Sequence, residues 1–397
     1  MIVTAIVFLL ILSVLVLIHE AGHFFVAKKF GIKVEEFGFG LPLFPAIFSF
    51  KRGETVYSIY PALIGGFVKL YGEDDAGAGR VKLKGHGEKL KGDEARSFHN
   101  RPIGQRAAVV LAGVVMNVVL AVGLYYVFMF MSGFKTELPV YPPGLNVPKF
   151  LLVDQKVDSQ IYISAIAKGS PAEKSGIKPF SEVISINGVR VKNGEYFLNT
   201  IKANEGKKVT LELKDEKTGK IYTAVAEPRV NAPKNQGALG VSFFDSDTLV
   251  LDYRNPVNMV FSGLAHTTNM LIYNFAAIGH LIGVSIKQGN VNELSQGVSG
   301  PVGIFKIVGV VVDIPNLHER VLQLLNLAGL LSISLAFFNV LPIPGLDGGR
   351  LFFILLESVG VKIKPRTEGI VNAIGMALLI GLIVLVTYKD IMQLIVK

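Results

Sequence analysis

Five consecutive residues, His19-Glu20-Ala21-Gly22-His23, carry the clearest chemistry in this 397-residue chain. On a helix, histidines four apart lie about 40° from each other on one face, and the glutamate between them projects about 100° from the first. Two imidazoles so placed can hold one Zn²⁺ while the carboxylate acts on water as general base. Two ligands do not complete a site. A third histidine six residues beyond His23 would, but Lys29 stands there. Glu35 and Glu36 are available, yet both follow a helix break expected at Gly31. Asp347 is the better candidate, in the block Asn339-Val-Leu-Pro342-Ile-Pro344-Gly-Leu-Asp347-Gly348-Gly349. Its competing role is to cap the helix that follows.

Elements must bring these residues together, and composition says which kind. Half of the chain is apolar and 18% is charged, against about a quarter charged in soluble domains. Asp, Glu, Lys and Arg are absent from 1–19, 107–134, 321–346 and 369–388, each at or near the roughly 20 residues that span about 30 Å of hydrocarbon. His19, Glu20 and His23 sit at the inner end of the first run and Asp347 at the end of the third. Ionisable groups there cost about 2.5–3.5 kcal/mol each on insertion scales, which marks them as functional. Pro342 and Pro344 break the third helix, and irregular backbone at membrane depth is tolerated where protein buries it or a wet cavity meets it. With no cysteine, thiolate ligands and disulfides are excluded.

Lys28 and Lys29, Arg101 and Arg106, Arg350, and Lys362, Lys364 and Arg366 flank particular ends of the apolar runs. The positive-inside rule places those ends in the cytoplasm. Four crossings then leave residues 132–320 outside. The first run lacks a basic segment ahead of it and is read as a span rather than a secretory leader. The net charge of +9 lacks the interleaved basic and aromatic stripe of a nucleic-acid surface, so no nucleic-acid partner is expected.

The expected organisation is a polytopic α-helical membrane protein with four transmembrane helices, a membrane-associated β-hairpin and one inserted α/β domain. Residues 1–27 form the first span. A cytoplasmic-side region, 28–103, contains the hairpin at 55–70 and a charged, Gly-rich connector over 72–100. The second span is 104–134. Residues 140–245 are a domain of soluble composition, with strand-like runs 161–165, 182–186, 208–213 and 221–226 and a capped helical start at Ser170-Pro171-Ala172-Glu173. An amphipathic surface helix follows at 255–287, then spans at 321–346 and 369–392. Asn117, in the second span, is expected to make a helix-to-helix hydrogen bond. His266 and His280 are expected to be packed or interfacial residues.

At these motifs the chain resembles the site-2 proteases, the intramembrane zinc metalloproteases, and within them the regulator of sigma-E protease subgroup. The resemblance rests on the HEAGH span, Phe37-Gly-Phe-Gly40, Gly65-Gly66-Phe67-Val68, Arg101-Pro-Ile-Gly-Gln-Arg-Ala107 leading to Asn117, Ser299-Gly-Pro-Val-Gly303 and the Asn339–Gly349 block. It implies one Zn²⁺ per chain held by His19, His23 and Asp347, with Glu20 as catalytic base. It further implies substrate contacts at Asn339 and along Gly65, Gly66, Phe67 and Val68, where a strand edge receives the substrate. The soluble segment resembles a single PDZ domain, through Gly169-Ser-Pro-Ala-Glu-Lys-Ser-Gly-Ile177 and Val183-Ile-Ser-Ile-Asn-Gly-Val189.

The implied activity is regulated intramembrane proteolysis of single-span membrane proteins already trimmed outside, of anti-sigma-factor or remnant-signal-peptide type. The implied setting is the lipid bilayer of a bacterial inner membrane, with the PDZ-like domain on its periplasmic or extracellular side. The alternative is a catalytically silent membrane receptor or scaffold that binds partner tails through its PDZ-like domain.

Overall fold

The computed structural model describes residues 1–397 except 74–93, 143, 216, 217, 234, 235, 292–294, 296, 298, 362, 364, 396 and 397. Most of the expected connector over 72–100 lies outside the described residues. The chain forms two compact units, one of Met1–Gly133, Met259–Asn274 and Ser285–Lys397, the other of Phe134–Asn258 and Phe275–Val284.

In the first unit, α1 (Ile2–Lys29) is followed by β1 (Val34–Leu41), β2 (Phe48–Arg52), β3 (Thr55–Ile59), β4 (Ala62–Leu70) and α2 (Ile103–Met131). Lys28 and Lys29 complement the carbonyl end of α1, and Gly31, at φ +68°, lets the chain turn away. The four strands lie in the order β2-β3-β1-β4. β2 and β3 form an antiparallel hairpin, from Phe48 opposite Ile59 to Arg52 opposite Thr55. β3 runs parallel to β1, and β4 runs antiparallel to the other edge of β1.

This corrects the expected hairpin over 55–70, because β3 and β4 do not pair. Both edges of β3 are already taken, by β2 and β1, and Pro61 has no N–H to extend a ladder. The chain therefore passes on to the free edge of β1. Val34 and Leu70 of this sheet, with Ile32 just before it, are buried with Ala27, Val109 and Ile354. That core fixes the sheet beside the carboxyl-terminal half of α1. Glu54, in the β2–β3 turn, bonds Lys28 Nζ at 2.6 Å and Arg96 Nη1 at 2.7 Å. The Arg96 hydrogen bond, then Lys28, hold its carboxyl down at about 2.

The second unit carries β5 (Lys135–Pro139), β6 (Asp154–Ile166), α3 (Pro171–Lys174), β7 (Ser181–Ile186), β8 (Val189–Arg190), α4 (Gly194–Ala203), β9 (Val209–Asp215), β10 (Ile221–Ala226) and β11 (Val241–Asp252). The sheet order is β10-β9-β7-β6-β11-β5, with β8 beside β7. Ile161, Ile163, Val183, Leu211, Leu213, Phe197 and Ile201 share its core. Alternate burial along β9 shows why the strand forms: Val209, Leu211 and Leu213 face inward. α3 has reciprocal caps, in which Ser170 Oγ accepts Glu173 N–H at 3.2 Å and the Glu173 carboxylate accepts Gly169 N–H at 2.6 Å. β11 pairs with β6 along its whole length. Asp245, Ser246 and Asp247 conceal it from a propensity reading.

The remaining helices are α5 (Pro256–Val260), α6 (Ser262–Gln288), α7 (Pro301–Val312), α8 (Leu317–Val340), α9 (Asp347–Ser358) and α10 (Pro365–Ile395). Among the described residues, five helices are long and apolar enough to cross a membrane, against the four expected. The additional one is α6, with a mean hydropathy of 1.4 against 2.0–3.0 for the others. Its polar side faces protein: Ser262, His266, Thr267 and Asn269 are buried, while Leu264, Phe275, Ile282 and Ile286 are exposed. His266 packs on the rings of Tyr125 and Phe128, at centroid distances of 4.6 and 5.9 Å. An apolar outer face on a helix whose polar groups are buried suits a hydrocarbon solvent rather than water.

Candidate metal centre

α1 brings His19 and His23 to the face it turns toward α2. Both helices approach closely through glycines. A Cβ on Gly22 would lie 2.7 Å from the Ala112 carbonyl carbon, and one on Gly113 would lie 2.7 Å from His19 Cε1. Asp347 arrives from the loop that follows α8. α8 ends at Val340, the Pro342–Pro344 segment turns the chain, and Asp347 opens α9. The turn is tight: Gly345 adopts φ +94°, and a Cβ on Gly348 would lie 2.6 Å from the Leu341 carbonyl carbon. Gly345 N–H donates to Asn372 Oδ1 of α10 at 3.2 Å, which holds the loop from the far side. The carboxylate of Asp347 does not cap α9, since Leu346 occupies the cap position and no side-chain cap bond is made.

It turns instead to the imidazoles. Asp347 Oδ2 lies 3.0 Å from His19 Nε2 and 3.2 Å from His23 Nε2, and the two Nε2 atoms are 3.2 Å apart. Among the described residues these three form the group of His and acidic side chains able to share one cation. A point equidistant from atoms at those separations lies about 1.8 Å from each, so the three atoms are close enough together to hold one ion at the ~2.0–2.1 Å of zinc bonds. Asp347 Oδ2, though buried, makes no geometrically sound hydrogen bond. Convergent lone pairs with an orphaned carboxylate oxygen are what a cation would satisfy.

The tautomer of His23 agrees. Its Nδ1 lies 2.8 Å from the Val109 carbonyl, which can only accept, so Nδ1 carries the proton and Nε2 keeps its lone pair. Glu35 and Glu36 are engaged elsewhere, Glu35 with Lys69 at 2.8 Å and Glu36 with Tyr60 at 2.7 Å.

A cavity of about 380 Å³ opens over the triad and is also lined by Glu20, Asn339, Gly66, Phe67 and Val68. Four of the five residues the resemblance assigns to substrate are therefore gathered there. Gly65 is not among the lining residues and instead turns the strand, at φ +95°. Gly66 passes close to Glu20 on α1: a Cβ there would lie 3.4 Å from Glu20 Cγ. β4 pairs with β1 on one side only, so its other edge is open among the described residues.

The expected helix-to-helix hydrogen bond of Asn117 is made, to His19 of α1, but its place in a stripe beside the site, and other contributors, lay beyond the sequence reading. Val109, Gly113 and Asn117 recur every four residues along α2 over the two imidazoles, a spacing that shows only once α2 is known to face them. Arg350 is one turn beyond Asp347 on α9 and forms an ion pair with Glu73, just past the end of β4. Its offset of three from Asp347 was a legible signal.

The profile of peptidase family M50 matches residues 7–382. A protein of Clostridium acetobutylicum carrying a provisional zinc-metalloprotease name is 31% identical over 387 residues, covering 96% of each chain. The zinc metalloprotease RasP of Geobacillus kaustophilus is 27% identical over 456 aligned positions, covering 97% of each. The regulator of sigma-W protease RasP of Bacillus subtilis is 28% identical over 461, covering 98% of this chain and 99% of the relative.

Proposed function

Because the chain belongs to peptidase family M50, the site-2 protease family of zinc metalloproteases, we propose that it cuts single-span membrane proteins at a centre built from His19, His23, Asp347 and Glu20. The observation that carries this reading is the convergence of His19 Nε2, His23 Nε2 and Asp347 Oδ2 within 3.0–3.2 Å beneath a cavity that Glu20 also lines. Zinc, when bound, supplies Lewis acidity that activates water and polarises a carbonyl.

The side chains do the rest. His19, His23 and Asp347 hold the ion. Glu20 takes the proton from water and returns it to the leaving amine. Substrate enters as an extended segment along the open edge of β4, because a transmembrane helix keeps its carbonyls hydrogen-bonded until it unwinds. Gly66 allows that backbone close to Glu20, Phe67 and Val68 lie alongside it in the cavity, and Gly65 sets the strand's turn. Asn339, at the inner end of α8, hydrogen-bonds the substrate backbone.

The test is zinc content and cleavage of a tagged single-span substrate. His19→Ala, His23→Ala and Asp347→Ala should each lose both zinc and cleavage. Full zinc affinity in Asp347→Ala would remove it from the ligand set. The substrate should be made with a short and with a long outer segment. Preferential cleavage of the short form supports a requirement for prior trimming, and equal cleavage refutes it. The name of the Bacillus subtilis relative, a regulator of a sigma-factor pathway, makes anti-sigma-factor-type substrates the first to try.

The chain is a multi-pass membrane protein, and we read its topology from the same geometry. α1 carries His19 and His23 near its carboxyl end, and α8 ends seven residues before Asp347, so both run toward the same face. α2 runs opposite to α1, since Val109, early in α2, meets His23 and Asn117, two turns later, meets His19. From the end of α2 to the start of α8 the chain must then make an even number of crossings. α7 has 12 residues, about 18 Å as a helix, too short for about 30 Å of hydrocarbon. A single crossing by α6 would leave that count odd. We therefore read four spans, with α6 along the outer side of the membrane, its polar face on α2 and its apolar face to lipid.

The second unit, read as the single PDZ-like domain, then lies outside, and Lys28, Lys29, Arg101 and Arg106 lie in the cytoplasm of a bacterial inner membrane. Cysteines introduced singly at the exposed positions Lys192 and Ala95 test this in a chain that has none of its own. An impermeant thiol reagent should label position 192 in intact cells from which any outer membrane has been removed, and position 95 only after permeabilisation. The reverse pattern would overturn the orientation.

A further inference from the structure

The side chain of Asn117 is wholly buried, and its amide nitrogen lies 3.1 Å from His19 Nδ1. The amide oxygen, equally buried, has no hydrogen-bond partner. Turning the amide over would exchange the two atoms and leave the nitrogen unpartnered instead, so polar satisfaction does not choose between the orientations. The imidazole does. If the amide nitrogen donates to Nδ1, a neutral His19 must carry its proton on Nε2, the atom that lies 3.0 Å from Asp347 Oδ2 and 3.2 Å from His23 Nε2. A protonated Nε2 has no lone pair for a cation. If the amide oxygen faces Nδ1, the N–H is on Nδ1 and Nε2 is free to bind.

We infer that Asn117 is a positioning residue for the metal centre, accepting the Nδ1–H of His19 through its side-chain oxygen and so fixing His19 as an Nε2 ligand. This rests on the reading of His19 as a zinc ligand. The position is built for the task. The Asn117 backbone carbonyl accepts Ser332 Oγ–H of α8 at 2.8 Å, with Ser332 itself buried, so α2 is pinned at this level. Eight residues earlier on α2, the Val109 carbonyl performs the matching service for His23 at 2.8 Å. Gly113, halfway between, leaves room for both rings. One helix thus orients both histidines, through a backbone acceptor for one and a side-chain acceptor for the other. A backbone carbonyl survives any substitution, whereas Asn117 can be changed.

The experiment measures zinc affinity by competition with a chromophoric chelator, on purified full-length protein. Loss of an acceptor behind a histidine ligand lowers metal affinity by about 10- to 100-fold, and that loss is expected for Asn117→Ala. Asn117→Asp keeps the size and can only accept, so it should bind zinc within about threefold of the wild type. A structural role alone would not separate the two variants in this order. Wild-type affinity in Asn117→Ala, or an aspartate variant no better than alanine, overturns the inference. If the alanine variant fails to fold, the aspartate variant decides alone: retained zinc supports an acceptor role, and lost zinc refutes it. His19→Ala, measured in parallel, separates the two levels. If it loses zinc while Asn117→Ala does not, only the positioning role fails. If it keeps full affinity, the ligand assignment fails and the role of Asn117 with it.

Discussion

Glu20→Gln should bind zinc as the wild type does, remain folded, and cleave at least about 10²-fold more slowly, the usual contribution of a general base. The expectation follows from where the side chain is and what it is not part of. His19 Nε2, His23 Nε2 and Asp347 Oδ2 form the proposed ligand triangle without Glu20, so removing its charge would take no donor from the ion. Glu20 nevertheless lines the same cavity, next to the strand proposed to receive the substrate. Glutamine has nearly the same shape and leaves that wall intact, but it cannot accept a proton at neutral pH. Zinc content and single-turnover cleavage, measured on one preparation, separate the two functions. Near-normal cleavage would eliminate Glu20 as the base. Loss of zinc would instead make it a ligand.

Gly113→Ala should have an effect of comparable size by a different route. The added methyl carbon would meet His23 Nε2 and lie 2.7 Å from both His19 Cε1 and His23 Cε1. Neither ring can yield without cost, since His23 is tied to the Val109 carbonyl and His19 to Asn117. α2 must therefore retreat, or the imidazoles must rotate. A misplacement of about 1 Å in a reacting constellation costs on the order of 10²-fold in rate, and the same displacement separates the ligand atoms. Zinc affinity and cleavage should fall together, in contrast to Glu20→Gln, where only cleavage falls. Gly104→Ala, also on α2 but with no atom within 4 Å of the added carbon, should change neither. If Gly113→Ala binds zinc normally, the close approach of α2 to the histidines is not needed for the site.

Much of this centre was legible along the chain because its signals are local. Histidines four apart on a helix share a face whatever the helix packs against, and an uncharged run of twenty residues announces a span by its own length. Asp347 was accessible by a coarser argument, that two spans running the same way bring their inner ends to one depth. The proposed third ligand therefore needed topology but no detailed packing. The cores of the strands in the second unit were equally local, as the alternation of Val209, Leu211 and Leu213 shows.

Other features were not legible, each for a physical reason. α1 and α2 are apolar on every side, so their sequences do not encode which way either is rotated about its axis. The stripe Val109, Gly113, Asn117 becomes meaningful only when packing turns it toward His19 and His23. In the sheet, adjacency in sequence suggested that β3 and β4 pair, but pairing is decided by which strand edges are free, and β1 had taken that of β3. The polar residues of α6 indicate an amphipathic helix without saying which solvent its other face meets, and the structure buries Ser262, His266, Thr267 and Asn269, with His266 on Tyr125 and Phe128. The sequence by itself determined which residues carry metal-binding chemistry at helical spacing and that they stand at the ends of long apolar runs, because residue type and helical period are properties of a few neighbouring positions. Only the tertiary structure decided their convergence to about 3 Å, the groups behind each imidazole and the strand laid beside Glu20, because those depend on helix rotation and strand order, which are set by contacts between residues far apart in the chain.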